Sequence, residues 1–293
     1  IGQNSRVFGR ESQIFIDGPY GKIGFGRVGA ISTDAGSYGL SDKINSFGTG
    51  WGNDQVIGSS HTVFASKPLR LDNSITYVSP EFYGLKLHAQ YSMKNDSKAD
   101  GTENKSDSDR YGALAVTYQN GNFEALVLAD WLNKARPAAG EYNGNDQWTV
   151  TVGGNYNCGF AKTFIGAQYF KNANEVGFDN FTTSAMLGKK DNKGYGKIDG
   201  VGVLVSTDIP VWGGDFLFSV GYMNAKNKDL VVDGNTKTVK LNRWMVGAGY
   251  DYPISKRTNV YGAAGYVRDC QKFDGKEVKP SAWSATVGLV HKF

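Results

Sequence analysis

The residue types that most often carry chemistry are sparse in this chain. Its three histidines, His61, His88 and His291, stand at no spacing that would bring two imidazoles to one metal ion. His61 follows Ser59 and Ser60, but a serine–histidine nucleophile also needs an orienting acid and an oxyanion site, and no motif here supplies them. The run GFGRVG at 24–29 satisfies G-x-G-x-x-G. Dinucleotide binding requires that run between a strand and a helix, and nothing around it has a helical pattern. Glycines within a strand are the simpler account. No cofactor is expected. Charge is the chemistry that remains. The 39-residue stretch 31–69 carries Asp34, Asp42 and Asp54 with Lys43 and Lys67, and Arg70 follows it directly. A connection that long, if it has no strands of its own, usually has a task.

What would position these charges is a set of strands. In QWTVTVGGNYN, Trp148, Val150, Val152 and Tyr156 fall on one parity and Thr149, Thr151 and Asn155 on the other. In LKLHAQYS, Leu85, Leu87, Ala89 and Tyr91 oppose Lys86, His88, Gln90 and Ser92; SAWSATVGLVHKF at the end alternates in the same way. A strand repeats every two residues, so each segment has one greasy and one wet face. No sustained helical period appears, and the class is all-β. Composition agrees: 39 glycines and 32 Tyr plus Phe against 7 prolines, and a mean hydropathy of −0.39. No run reaches the roughly 18 apolar residues of a membrane helix. A membrane β-barrel escapes that test, because its inward half dilutes the hydropathy. The net charge of +4 comes without a basic run, so no nucleic-acid partner is expected.

The connections alternate between short (17–21, 79–84, 120–122, 157–160, 208–214, 253–257) and long and polar (31–69, 95–109, 133–146, 172–197, 226–238, 269–280). A meander with tight turns at one rim and long loops at the other fits a transmembrane barrel. The runs between connections number about thirteen, each roughly ten residues, the length a tilted strand needs to cross a bilayer. A soluble sandwich would have to turn a polar face inward in every strand while leaving the greasy face in water. Cys158 falls in a short turn and Cys270 at a long loop, at opposite rims, so the two are expected to be unpaired. The first strand descends from the long-loop rim and the last ends at the short-turn rim. That parity implies an odd number of opening strands outside the sequence; three would make sixteen.

Four segments in order resemble the general trimeric porins of Gram-negative outer membranes, nearest the β-proteobacterial and neisserial branch. They are RESQIFIDGPYGKIGFGR (10–27), RLDNSITYVSPEFYGLKLHAQYS (70–92), SKRTNVYG (255–262) and the terminal VGLVHKF (287–293). The resemblance implies a sixteen-stranded antiparallel transmembrane β-barrel, with strands 4–16 in residues 1–293 as one domain. It implies that 31–69 is the inserted constriction loop, folding into the lumen. It also implies a pore constriction built from Arg70, Arg10, Glu11, Asp34, Asp42, Asp54 and Lys67. The implied partners are outer-membrane lipid and lipopolysaccharide, two further copies of the chain in a homotrimer, and small hydrophilic solutes and ions.

Carboxylates on the loop facing guanidinium groups on the wall would set a transverse field across a wet neck. Polar solutes can align with that field, and hydrated ions feel it weakly. Arg10-Glu11 stands where some relatives have consecutive basic residues, and either side chain could face the lumen. If Glu11 does, anion preference is blunted. The expectation is therefore passive diffusion with a slight lean to anions. Its rivals are a substrate-selective channel for sugars or dicarboxylates and a non-conducting barrel that serves as adhesin or enzyme.

Overall fold

The computed structural model describes residues 7–47, 57–136, 145–176, 198–232, 235–273 and 275–292. One antiparallel sheet of 14 strands contains the regular structure: β1 (Ser12–Gly18), β2 (Gly21–Gly29), β3 (Arg70–Val78), β4 (Leu85–Ser92), β5 (Arg110–Asn120), β6 (Phe123–Asn133), β7 (Gln147–Asn157), β8 (Lys162–Ala173), β9 (Ile198–Val211), β10 (Gly214–Val232), β11 (Asn235–Ser255), β12 (Thr258–Phe273), β13 (Lys276–Val278) and β14 (Ser281–His291). Sequence neighbours pair from β1 to β13, and β14 lies against β12. Apart from the three-residue β13, this gives the thirteen strands the alternation predicts. GFGRVG lies within β2, with strand and not helix around it. Among the described residues β1 and β14 do not pair with each other, and the sheet is not closed.

The turns explain why the strands meander. Trp212 and Gly213 both take positive φ (53° and 82°) in the two-residue link from β9 to β10. Two successive left-handed residues match the twist of the flanking strands. Gly84 at φ 84° has no room for a side chain, since a Cβ there would lie 2.2 Å from the Gln119 carbonyl.

Two of the long connections are shorter than expected. Residues 226–238 are mostly strand, because β10 and β11 continue pairing through Val232↔Asn235 after a bulge between Asn227 and Leu230. Residues 269–280 likewise hold a hairpin in which Gln271 pairs with Val278. Their polar composition suggests loops, but backbone pairing is indifferent to side-chain polarity once a strand rises above the greasy band.

Burial is inverted relative to a soluble protein. On one face Thr76, Gln90, Thr149, Thr151, Gln168, Ser206 and Ser219 are buried; on the other, Val150, Val152, Val201, Val203, Val205, Val220 and Leu289 are exposed. Such a continuous exposed apolar face is what hydrocarbon would solvate. Trp148, Tyr156 and Trp283 lie on it, exposed; Phe293 lies outside the described residues. The inner face is not wet throughout. Leu126, Leu128, Leu204, Met223 and Leu241 are buried there against residues of the 31–69 segment. This dry strip exists because that segment brings its own apolar side chains to cover it.

Candidate functional site: the inner loop and its wall

Between β2 and β3 the chain leaves the rim and crosses the inner face in two described legs. The outbound leg, 31–47, contains two 3-10 turns, Gly36–Tyr38 and Ser41–Ile44. The return leg, 57–69, contains one at Ser60–Thr62. Each leg bonds to strand after strand. On the way out, the Ile31 amide donates to Gln90 Oε1 on β4 (2.9 Å), and the Ser46 amide donates to Ser206 Oγ on β9 (3.0 Å). On the way back, the Ile57 amide donates to Ser284 Oγ on β14 (3.1 Å) and the Ala65 amide to Gln168 Oε1 on β8 (2.8 Å). The inward polar parity therefore meets backbone groups that a loop cannot pair with itself.

Close approach depends on the wall's glycines. A Cβ on Gly265 would lie 1.7 Å from the Ile57 carbonyl oxygen, and one on Gly202 would lie 2.1 Å from that of Val63. The gap left between the loop and β6–β8 is about 30 Å³, bounded by Ser32, Ser60, Lys67, Leu126, Thr151 and Gln168. That volume holds a water and excludes a solute.

The predicted site residues are only partly gathered. Glu11 is on the loop side: it accepts from the Ser37 amide (2.8 Å) and Ser37 Oγ (2.7 Å), whereas Arg10 is exposed. Gly36 makes room for that carboxylate, since a Cβ there would meet Glu11 Oε1 at 2.1 Å. Asp34 and Asp42 both ride on the outbound leg. Partial desolvation pushes the Asp42 carboxyl above its ordinary value, with Lys43 opposing and Glu124 adding to the rise. Asp54 lies outside the described residues. Lys67 is turned to the wall, buried in a 2.6 Å pair with Asp130, which also accepts from Thr149. Lys43 pairs with Glu124 at 3.0 Å. Arg70 opens β3 opposite Gly29, half-buried, on the parity of buried Asp72, Ser74 and Thr76.

Alternation misplaces one arginine, and turns a second inward without giving its partners. Arg27 would follow Phe25 to the greasy face, but the register shifts between Gly26 and Val28, and Arg27 meets Asp72 at 2.6 Å. Gly26, at φ 133° beside an arginine, is the signal for that irregularity. Arg243 is the largest fully buried side chain among the described residues. Its Nε and Nη2 donate to the two Asp269 oxygens at 2.7 and 3.0 Å, and its Nη1 donates to the carbonyls of Thr62 (2.9 Å) and Val176 (2.8 Å). One guanidinium thus joins β11, β12, the return leg and the start of the β8–β9 connection. The Ser66 amide adds a bond to the Glu175 carbonyl (3.0 Å).

The remaining chemistry-bearing groups have structural surroundings. His88 lies within hydrogen-bond distance of Thr117 (3.0 Å) and His291 of Thr258 (2.9 Å). Cys158 and Cys270 are both free, as expected from their opposite rims. This is a sheet with an apolar exterior and an inner loop bonded across its polar side.

That architecture defines a channel-forming outer-membrane β-barrel. Residues 2–271 match the family model described as Gram-negative porin, and the chain belongs to that family. It is 26 % identical, over 99 % of its length and 74 % of the relative's, to an outer membrane porin protein of Bordetella pertussis. It is also 26 % identical, over 100 % of its length and 75 % of the relative's, to the major outer membrane protein P.IB of Neisseria lactamica. Among solved structures it resembles an anion-selective porin from Comamonas acidovorans, with a TM-score of 0.59 at 19 % identity, covering 98 % of this chain and 78 % of that one. The chain is therefore an outer-membrane porin of the β-proteobacterial branch.

Proposed function

We propose that this porin passes small hydrophilic solutes and ions by passive diffusion, without chemistry of its own, as a homotrimer with a slight lean to anions. The observation that carries the reading is the bonding of both described loop legs to the inner face from β4 to β14, with a gap of only about 30 Å³ between them and β6–β8. The solute path then runs past the loop's other side, between it and the wall of β1–β3. Glu11, turned toward the loop, puts a negative charge beside that path, and Arg70 offsets it. Lys43 and Lys67 contribute little to the balance, because Glu124 and Asp130 meet their charges. The anion selectivity of the Comamonas protein sets the direction, and Glu11 reduces its strength.

Planar-bilayer recording of the complete protein tests this. Ohmic conductance with a small reversal potential of anion sign in a salt gradient is expected. A strong cation preference, or saturable block by one solute class, would overturn it.

A further inference from the structure

One lysine on the inner face is held without a carboxylate. Lys22 is the second residue of β2, at the short-turn end of the wall that the solute path follows. In the register it stands directly opposite Asp17 on β1, yet among the described residues no ion pair joins Lys22 to any carboxylate. Its ammonium lies instead over the Phe15 ring, with Nζ 3.9 Å from that centroid and 5.4 Å from the centroid of Tyr38. Phe15 belongs to the wall and Tyr38 to the outbound leg, so the lysine stands where loop and wall meet.

The surroundings suit that contact. Phe15 is half-exposed on a parity that otherwise carries Glu11, Gln13 and Asp17. Directly across from it is Gly24, which presents no side chain. A Cβ there would lie 2.7 Å from Tyr38 Oη, so this first glycine of the GFGRVG run admits the loop tyrosine to the wall. Tyr38 Oη donates to Gln13 Oε1 at 2.8 Å, and the neighbouring Ser37 is held by Glu11. The ring that faces Lys22 from the loop therefore has a fixed berth.

The means of holding decides what the charge can do. A carboxylate that holds a cation also cancels its field. That is the condition of Arg27 against Asp72, Lys43 against Glu124, Lys67 against Asp130 and Arg243 against Asp269. An aromatic ring attracts a cation through its quadrupole and carries no net charge. It restrains the ammonium and leaves the field intact. Asp17 is exposed, where salt screens it.

We infer that Lys22 is a selectivity-determining residue of this channel, a fixed positive charge that Phe15 and Tyr38 hold beside the solute path. The inference rests on the porin reading above. Arg70 opens β3 opposite Gly29, seven residues along β2 from Lys22. At about 3.3 Å per residue, the two cations stand roughly 20 Å apart on one wall. An anion that passes Arg70 at the long-loop end meets a second attraction before it leaves at the short-turn end.

The test is the reversal potential of the complete protein in planar bilayers under a salt gradient. Lys22→Gln should move the permeability ratio toward cations by about twofold near 0.1 M salt. The difference from wild type should shrink near 1 M, where the Debye length falls from about 10 Å to about 3 Å. Lys22→Arg keeps the charge and lies equally well on aromatic faces, so it should restore the wild-type ratio. Phe15→Leu keeps the lysine but removes its ring, which lets the ammonium turn to Asp17. Its ratio should move part of the way toward that of Lys22→Gln. A wild-type ratio in Lys22→Gln or in Phe15→Leu, or a shift that high salt leaves unchanged, would overturn the proposal. Failure of the porin reading shows separately, as a wild type that does not conduct before any substitution is made.

Discussion

The two legs of the inner loop are held by different means. The outbound leg is fastened by neutral donors and partly exposed charges: Ser37 on Glu11, Ser46 on Ser206, and Lys43 on Glu124. The return leg is fastened by dry ion pairs, with Lys67 on Asp130 and the Arg243–Asp269 pair reaching the Thr62 carbonyl. A buried pair is costly to assemble and still more costly to break, because the surviving charge has no solvent. A pair that keeps some solvent costs less to break. The return leg is accordingly the anchor, and the outbound leg is the part that can present charge to a passing ion.

The comparison breaks most visibly at Arg243. Arg243→Met strands the Asp269 carboxylate, already fully buried, and leaves two carbonyls without their donor. A loss of about 3–5 kcal/mol is expected in the unfolding of the detergent-solubilised protein, together with a lower voltage for channel closure. Arg243→Met combined with Asp269→Leu should recover much of the stability but not the closing voltage, since the tie to Thr62 is still missing. Full recovery of both would mean that Arg243 does not hold the loop.

Gly265→Ala probes the same leg without touching charge. The added methyl would meet the Ile57 carbonyl, so the leg must move or the wall must. Such overpacking costs about 1–3 kcal/mol, and single-channel conductance should change with it; an alanine variant with wild-type conductance would show that the berth is loose.

Glu11, which the outbound leg bonds, and Arg70, at the head of β3, should respond in selectivity more than in stability. Arg70→Ala should move the permeability ratio toward cations and Glu11→Gln toward anions, each by about twofold, since ions that stay hydrated feel fixed charges weakly. Matching shifts from Lys67→Gln would erase the distinction between the legs, because Lys67 is neutralised where it stands.

The smallest effect is that of pH. Asp42 binds its proton at higher pH than an ordinary carboxyl, because it is partly desolvated. As pH falls from neutral it loses its charge earlier than an ordinary carboxyl would, and the anion preference should rise slightly. Reversal potentials recorded at stepwise lower pH check the sign, and Asp42→Asn should abolish the early part of the rise. The raised value also means that folding favours protonated Asp42, so its charge opposes stability above that range and the opposition fades on acidification.

The alternation in segments such as QWTVTVGGNYN determined by itself that the protein is a meander of strands with one oily and one polar face. A period of two needs no tertiary information, and short connections such as 208–214 mark the neighbourhood in which each strand reverses, although the structure narrows that one to Trp212-Gly213. The long connection 31–69 was legible as an object, with its charges, but not which of them it would spend on the wall. Lys67 and Asp130 are 63 residues apart, and Arg243 and Thr62 are 181. Only the register of the strands and the path of the loop bring such partners within reach. The bulge that redirects Arg27, and the placing of a loop tyrosine beside Lys22, were decided in the same way. A strand's own residues fix its two faces, whereas the residue standing opposite is fixed by the neighbouring strand.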